Sequence, residues 1–262
     1  MSDHIVMLSG GIGSYMVARR LHRQGKKPIL LFADTKMEDE DLYRFLDDIE
    51  RVLDTEIIRL AEGRDPWQVF KDVKFLGNTK GDPCSRILKR QFLRKHIDDH
   101  HDPENSIIYI GIDWTEIHRL AGVERYWSPW RVEAPLTSPP YLTKNKMLRL
   151  LEHDGIEIPR LYKMGFPHNN CGGFCIKAGI ANFALLWKAM PERYRYHEDM
   201  EASLQSVIAK PHTILRDRRD GQVKPLSLRQ LREDLEKGQS YDLLEWGGCA
   251  CFTPDEYDEN NP

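Results

Sequence analysis

A glycine-rich turn near the start of the chain is the feature that most constrains how this sequence can fold. Residues 5–8 form an apolar run typical of a short buried strand, and the run ends abruptly at Ser9-Gly10-Gly11-Ile12-Gly13-Ser14. Residues 15–24 then have the pattern of a helix. In a strand–turn–helix unit, backbone N–H groups and the helix N-terminus converge and can bind an anion. The turn therefore predicts a phosphate-binding loop, with an ordinary β–α turn as the alternative interpretation.

The sequence after this turn alternates between strands and helices. Apolar runs at 29–32, 56–59 and 106–110 predict three more strands, and 38–53 predicts an acidic helix. Such alternation is typical of a parallel sheet covered by helices on both faces. We therefore predict an α/β fold with a doubly wound, mostly parallel sheet, followed by a helical C-terminal region that bears cysteines.

Composition narrows the class of protein. The chain has 262 residues and a net charge of −3, so any contact with a polyanion must come from a local patch. No segment is long and apolar enough for a transmembrane helix, and we expect a cytoplasmic protein without a membrane partner. Five cysteines, an odd number, argue against a disulfide framework and favour metal binding or a reactive thiol.

Polar residues follow two of the predicted strands. Asp34 and Thr35 come after the second strand, and Gly111 follows the fourth. Ligands of doubly wound folds bind at the carboxyl ends of strands, so we expect Asp34 and Thr35 near a bound nucleoside. The same two residues would also suit the N-cap of the helix that follows them.

Cys84 lies just before a predicted basic helix that extends to about residue 96 and contains Arg86 and Lys89. A helix N-terminus and nearby cations both lower the pKa of a thiol, so we expect Cys84 to be reactive. The alternative is a small core residue. The basic face of the helix either is solvated or serves a phosphate-bearing substrate.

The other four cysteines form two close pairs, Cys171-x3-Cys175 and Cys249-x-Cys251, each flanked by two glycines. Two close pairs from distant parts of a chain are a common way to hold tetrahedral zinc or an iron–sulfur cluster. Ligation by sulfur alone suits both metals, so the spacing leaves the metal open. His168 could add a ligand, although a single histidine beside two asparagines is more often structural.

The turn at residues 9–14 resembles the S-G-G-x-x-S loop of the PP-loop ATP pyrophosphatase superfamily. Residues 111–119 resemble a segment of its phosphoadenylyl-sulfate (PAPS) reductase branch, in which Glu116 and Arg119 match. The order of motifs is similar to that branch over residues 4–180. This chain departs from the pattern at Gly13, where many members have Asp, and at Asp113, where the branch has Arg.

The resemblance implies an adenine nucleotide alpha hydrolase-like fold and an enzyme that cleaves ATP to AMP and pyrophosphate, adenylating a substrate for sulfur transfer. It implies ATP with Mg²⁺ as ligands. The residues expected to bind the nucleotide are Ser9, Gly10, Gly11, Gly13, Ser14, Asp34, Thr35 and Gly111. The residues expected to act in catalysis are Ser9, Ser14, Cys84, Arg86, Lys89 and Arg119.

The resemblance also favours a 4Fe–4S cluster over Zn²⁺ at Cys171, Cys175, Cys249 and Cys251. Cys84 would then replace one ligand or act as the redox or persulfide-accepting thiol. Among the relatives, ATP pyrophosphatases of DNA phosphorothioation systems are similar in size and motif order. They imply a cysteine desulfurase or another sulfur donor as partner and a nucleic acid as acceptor. A tRNA-thiolating enzyme is the nearest alternative.

Two further functions stay open from the sequence. A sulfonucleotide reductase would usually need a cysteine in its C-terminal tail, and this tail has none. A non-catalytic nucleotide-binding subunit is favoured by Gly13 in place of Asp. We predict a nucleotide-binding domain at 1–165, a helical region with the cysteine site at 166–252 and a disordered acidic tail at 253–262.

Overall fold

The computed structural model describes residues 2–77, 81–208, 212–219 and 221–248. Its main sheet has five parallel strands in the order β3-β2-β1-β4-β5. The strands are β1 (Asp3–Leu8), β2 (Pro28–Asp34), β3 (Ile57–Ala61), β4 (Ser106–Tyr109) and β5 (Arg131–Glu133). All four predicted strands are present. The fifth, β5, was not predicted because three residues are too few to give a periodic pattern.

Eleven α-helices connect and follow the strands within the described ranges. They are α1 (Ile12–Arg23), α2 (Glu40–Leu53), α3 (Pro66–Asp72), α4 (Pro83–Ser85), α5 (Phe92–His100), α6 (Leu120–Trp127), α7 (Lys144–His153), α8 (Arg160–Lys163), α9 (Ile180–Ala189), α10 (Pro191–Leu204) and α11 (Leu228–Glu236). A π-helix, Arg86–Gln91, joins α4 to α5, and short 3₁₀ helices occupy Trp114–Arg119, Pro135–Thr137 and Cys171–Gly173. A small antiparallel pair, β6 (Leu215–Asp217) and β7 (Lys224–Leu226), lies in the C-terminal region.

The central strand β1 is buried on both faces. Val6 and Leu8 pack with α1, α2 and α7, whereas Ile5 and Met7 pack with α5 and α6 on the opposite face. Successive side chains of a strand point to opposite faces, so one apolar run contributes to two cores. The doubly wound α/β fold predicted from the sequence is confirmed.

Helix α2 begins two residues later than predicted. Asp39 is the N-cap, and its carboxylate accepts the backbone N–H of Asp41 at 3.0 Å. This cap leaves Glu38 outside the helix, where its side chain is buried. The capping residue therefore sets the helix boundary and directs Glu38 into the interior.

A third core lies in the C-terminal region. It includes residues of α9, α10 and α11, together with Trp67 and Phe70 of α3. The aromatic part of this core is close-packed, since the ring of Phe174 stacks on His197 at 3.9 Å between centroids. Helix α3, which belongs to the predicted nucleotide-binding part of the chain, therefore shares a core with the C-terminal helices.

The last described residues pack beside the segment that follows Cys175. Gly179 donates its N–H to the carbonyl of Trp246 at 2.8 Å, and Gly248 donates to the carbonyl of Lys177 at 3.0 Å. Cys249, Cys251 and the tail predicted at 253–262 lie outside the described residues. Within the described part of the chain, no helix has the length and apolar character needed to cross a membrane.

Candidate functional site

A cavity of about 520 Å³ opens at the carboxyl ends of β1 and β4. The strand order reverses between these two strands, which is where doubly wound folds bind ligands. The volume is in the range of small-molecule sites. Its walls include six of the residues predicted for nucleotide binding or catalysis, namely Ser9, Gly11, Gly13, Ser14, Gly111 and Arg119.

The glycine-rich loop is held in shape by its own serines. The Ser9 hydroxyl accepts the N–H of Gly11 at 3.2 Å, and the Ser14 hydroxyl donates to the Gly11 carbonyl at 2.9 Å. Gly10 adopts a left-handed conformation with φ of 77°, and a Cβ there would lie 2.5 Å from a methyl carbon of Leu42. The loop therefore requires glycine at position 10 and is set before any ligand binds.

The loop also touches the segment after β4, backbone against backbone. A Cβ on Gly13 would lie 2.7 Å from the carbonyl oxygen of Gly111, and a Cβ on Gly111 would lie 2.7 Å from the nitrogen of Ser14. No side chain fits at either position without a backbone shift. This contact gives a steric reason for Gly13 where related loops carry aspartate.

The segment after β4 brings charged groups to the cavity. Asp113 caps the 3₁₀ helix Trp114–Arg119, since its carboxylate accepts the N–H of Thr115 at 2.8 Å and the Thr115 hydroxyl at 2.6 Å. Glu116 forms an ion pair with Arg119. The wall therefore offers two carboxylates and one guanidinium.

The opposite wall contains residues that the sequence did not identify. The Tyr162 hydroxyl accepts the N–H of Ile12, the first residue of α1, at 3.1 Å. The ammonium of Lys144 donates to the carbonyl of Pro167 at 2.7 Å and lies 4.6 Å from the centre of the Tyr162 ring. Asn169 donates to the carbonyl of Gly10 at 3.0 Å. The sequence predicted no role for any of them, and Asn169 entered only as one of the two asparagines beside His168.

Two titratable groups in this wall are shifted towards their neutral forms. Burial lowers the pKa of Lys144. His168 faces the same cavity, and its pKa is lowered by the surrounding protein and by the positive charges of Lys144 and Arg119. His168 is therefore neutral at pH 7 and can accept a hydrogen bond through one ring nitrogen.

Asp34 and Thr35 are engaged elsewhere. The carboxylate of Asp34 accepts the Tyr43 hydroxyl at 3.0 Å and the N–H of Lys36 at 2.7 Å. Thr35 donates its hydroxyl to Glu38 at 2.9 Å and lines a second, smaller pocket. Their predicted role near a nucleoside stays a prediction.

That second pocket, of about 30 Å³, is lined by three cysteines and is called the cysteine pocket below. Cys84 comes from α4, and Cys171 and Cys175 come from the segment before α9. The sulfur of Cys175 lies 3.8 Å from the carbonyl oxygen of Gly248, the residue before Cys249. The fold therefore places Cys84 beside the Cys171–Cys175 pair.

Buried charges surround this pocket. The ammonium of Lys89 lies 3.9 Å from the sulfur of Cys171 and 3.6 Å from a carboxylate oxygen of Glu38. Glu38 also accepts the backbone N–H of Cys171. Lys89 belongs to the π-helix Arg86–Gln91 and is 3% exposed, so it points into the protein rather than to solvent. Short π-helical segments often occur at functional sites.

A second buried ion cluster completes the surroundings. Asp82 binds Arg90 at 2.8 Å and Lys177 at 3.1 Å. The expected lowering of the Cys84 pKa is wrong. Burial and the charge of Asp82 raise the pKa of Cys84 to about 12, against the opposing charge of Lys89. Burial therefore outweighs the nearby positive charges of Lys89 and Arg90.

The described residues contain no group of three His, Cys, Asp or Glu side chains placed to hold a metal ion. Two of the four predicted ligands, Cys249 and Cys251, lie beyond the last described residue, Gly248. The predicted metal site therefore stays a prediction, with Cys171 and Cys175 gathered beside Cys84.

Comparison with known proteins fits the geometry of the cavity. The model of the phosphoadenosine phosphosulfate reductase domain matches residues 3–171, which include the glycine-rich loop, the segment after β4 and Cys171. No curated protein matches in sequence. A structure described as a predicted subunit of tRNA methyltransferase from Methanocaldococcus jannaschii is similar, with 16% identity and a TM-score of 0.32 over 60% of this chain and 90% of that one. Because the family model covers more than half of the chain, the chain belongs to the phosphoadenosine phosphosulfate reductase domain family, a PP-loop family of enzymes that act on nucleotides.

Proposed function

We propose that the protein is a cytoplasmic ATP pyrophosphatase that adenylates a substrate for sulfur transfer. The observation that carries this proposal is the glycine-rich loop at the start of α1, which faces a cavity of about 520 Å³ at the reversal of strand order. The first-turn N–H groups of a helix have no partner within the helix and point along a favourable dipole. They suit the pyrophosphate end of ATP.

The chemistry follows from this placement. A nucleophilic atom of the substrate attacks the α-phosphorus, and the bond from that phosphorus to the bridging oxygen of the β-phosphate breaks. The electron pair leaves with pyrophosphate, and AMP stays on the substrate. The N–H groups of Gly13 and Ser14 at the start of α1 stabilise the charge that develops on the leaving group. Arg119, in the same wall, adds a positive charge.

Mg²⁺ fits the same cavity. Asp113 and Glu116 are the carboxylates in its lining, and Mg²⁺ in such sites binds one or two carboxylates together with phosphate oxygens and water. When bound, Mg²⁺ neutralises phosphate charge. Asp113 already accepts two hydrogen bonds from Thr115, so its carboxylate is held in a fixed orientation.

For the cysteines, we propose a sulfur-ligated metal site, with a 4Fe–4S cluster as the first choice and Zn²⁺ as the second. Support comes from Cys171 and Cys175 lining one pocket and from Gly248, which leads to Cys249, lying 3.8 Å from Cys175. Cys84 lines the same pocket, which favours its role as a replacement ligand over a separate reactive thiol. Such a cluster would supply a binding site for sulfur.

The acceptor in this proposal is a nucleic acid, with DNA phosphorothioation as the leading case, and a cysteine desulfurase or another donor supplies sulfur. The resemblance of the glycine-rich loop and the motif order supports this assignment. Sulfur at the sulfide level would then attack the adenylated group, and AMP would leave with the electron pair of the broken bond.

The test is incubation of the protein with α-labelled ATP and Mg²⁺, in which water takes the place of the acceptor as the nucleophile at the α-phosphorus. We expect labelled AMP together with pyrophosphate, and we expect Ser9→Ala and Gly11→Ala to abolish both without unfolding. Ser203→Ala, on the exposed side of α10, is the control and should keep full activity. ATP binding without cleavage would indicate a nucleotide-binding subunit. Reduction of adenylyl sulfate in place of ATP cleavage would indicate a sulfonucleotide reductase.

The metal site has its own test. Protein purified without oxygen should contain iron and sulfide and absorb visible light. The Cys171→Ser variant should lose the iron, the sulfide and the absorbance. Zinc in place of iron would select the second choice. Fully folded protein without either metal would contradict the site.

A further inference from the structure

Two exposed aromatic rings lie together at the rim of the cavity of about 520 Å³, which is called the nucleotide cavity below. Trp114 and Tyr141 have ring centroids 5.9 Å apart, and they are 42% and 54% exposed. The indole N–H of Trp114 donates to the carbonyl of Leu142 at 3.3 Å, which fixes the edge of the ring and leaves its face available. Large exposed aromatic groups beside a cavity are a common feature of binding surfaces.

The pair leads out of the cavity. Trp114 belongs to the cavity wall, whereas Tyr141 lies beyond it on the surface. A ligand that touches both rings must therefore extend from the cavity to the outside. A single nucleotide bound within the cavity makes no use of the second ring. A longer chain that enters the cavity at one point would contact both rings.

Exposed cations lie outside the cavity. The cavity wall is balanced in formal charge, with Asp113 and Glu116 beside Arg119 and Lys144. Lys146 and Arg149 are exposed on α7, the helix that follows Tyr141 in the chain. These two cations suit the phosphates of a polyanion that leaves the cavity past Tyr141.

We propose that Trp114 and Tyr141 form a stacking platform for an unpaired base of a single-stranded polynucleotide that enters the nucleotide cavity. The inference rests on the proposed function, in which a nucleic acid is the acceptor, and it names the surface that holds the acceptor. Bases stack on aromatic side chains with little dependence on sequence, and nearby cations hold the phosphates. A polynucleotide presents a planar base at every residue, whereas a peptide presents a planar side chain only where its sequence contains an aromatic residue or arginine.

The test measures polarisation of fluorescein-labelled 12-nucleotide single strands, with DNA and RNA in separate arms and a duplex for comparison. We expect the wild-type protein to bind a single strand more tightly than the duplex. Trp114→Ala should weaken that binding by about tenfold or more, from the contribution of one stacked base. Trp114→Phe should restore most of it, because a planar ring is kept.

Tyr196→Ala is the matched control. Tyr196 is 46% exposed on α10, and its loss should leave oligonucleotide binding unchanged. Tyr141→Ala should also weaken the single strand, and the dissociation constant for ATP should stay within twofold in that variant because Tyr141 lies outside the cavity wall. Thermal unfolding of each variant confirms that the exposed substitution leaves the fold intact.

Three outcomes would overturn the platform. The first is that the wild-type protein binds no single strand, and the second is that Trp114→Ala binds the single strand as tightly as wild type. The third is that Trp114→Ala weakens only the binding of ATP, which would assign the ring to adenine. Failure of the proposed function can be distinguished from failure of the platform. Oligonucleotide binding that depends on Trp114, in a protein that does not cleave ATP, would keep the platform and remove the pyrophosphatase.

Discussion

The nucleotide cavity and the cysteine pocket lie close together in the fold, yet they are built differently. The cavity, of about 520 Å³, is open and formed largely by loops whose backbones touch, as at Gly13 and Gly111. The cysteine pocket, of about 30 Å³, is formed by residues from four parts of the chain and is surrounded by buried ion pairs such as Glu38–Lys89. The first therefore depends on backbone shape, and the second on paired charges.

This difference predicts that the two sites fail in different ways. A substitution that disturbs the loop backbone should remove nucleotide chemistry with a moderate change in stability. A substitution that removes a buried charge should cost stability and leave the loop intact. Three variants test the contrast.

Gly13→Asp should have the largest effect, although it introduces the residue that many related loops carry. The new Cβ would lie 2.7 Å from the Gly111 carbonyl, so one of the two loops must move. We expect ATP cleavage to fall by about 100-fold or more, since a displacement near 1 Å is enough for such a loss. Steady-state kinetics measures the change. Gly248→Ala, where an added Cβ meets no neighbouring atom, is the control and should keep wild-type ATP affinity.

An active Gly13→Asp variant would contradict the steric explanation. It would indicate that the Gly13–Gly111 contact yields easily and that glycine at this position has another cause.

Lys89→Met should break the cysteine pocket. It removes the cation 3.6 Å from Glu38, whose side chain is fully buried, and leaves a carboxylate without its counter-charge. We expect the free energy of unfolding to fall by about 3 kcal/mol, as for other buried pairs that lose one partner. Urea unfolding measures the change. Lys95→Met, at an exposed position on α5, should alter stability by less than about 0.5 kcal/mol.

The same pair of variants separates the two sites. ATP affinity of folded Lys89→Met should match wild type, because Lys89 lines the cysteine pocket. A large loss of ATP affinity would restore Lys89 to the phosphate-binding role predicted from the sequence.

Tyr162→Phe should have the smallest effect. It deletes the hydroxyl that accepts the Ile12 N–H at 3.1 Å and keeps the ring under Lys144. We expect a loss of about 1 kcal/mol in unfolding free energy and a change in ATP affinity of about threefold at most, since a bound phosphate can accept the released N–H. Calorimetric titration measures the affinity. A loss as large as that of Gly13→Asp would make the Tyr162 hydroxyl a direct ligand of the nucleotide.

The contrast also explains what the sequence could predict. The loop at 9–14 follows its strand directly and precedes its helix directly, so local pattern was sufficient to place it. The same holds for Gly111 after β4. Tyr162 contacts Ile12 from 150 residues away, Lys144 packs on the Tyr162 ring, and no local pattern indicates a contact of that range.

The burial of basic side chains was the other feature that the sequence did not predict. Arg86 and Lys89 belong to a basic helix, and a sequence does not show which face of that helix is buried. The π-helix over Arg86–Gln91 changes the angular spacing of its side chains, so helical periodicity was misleading there. The pKa of Cys84 was mispredicted because burial dominates it, and residues far along the chain, such as Cys171 and Phe174, line the same pocket.

The segment from His168 to Cys175 joins the two sites, since residues 168–170 line the cavity and Cys171 lines the cysteine pocket. Cys171, Gly172 and Gly173 all adopt positive φ, so this connection is a sharp and closely defined bend. Thermodynamic reciprocity then applies. If nucleotide binding raises the affinity of the cysteines for their ligand by some factor, that ligand must raise the affinity for the nucleotide by the same factor. Titrating ATP into the protein with and without its cysteine ligand would therefore report on both sites at once.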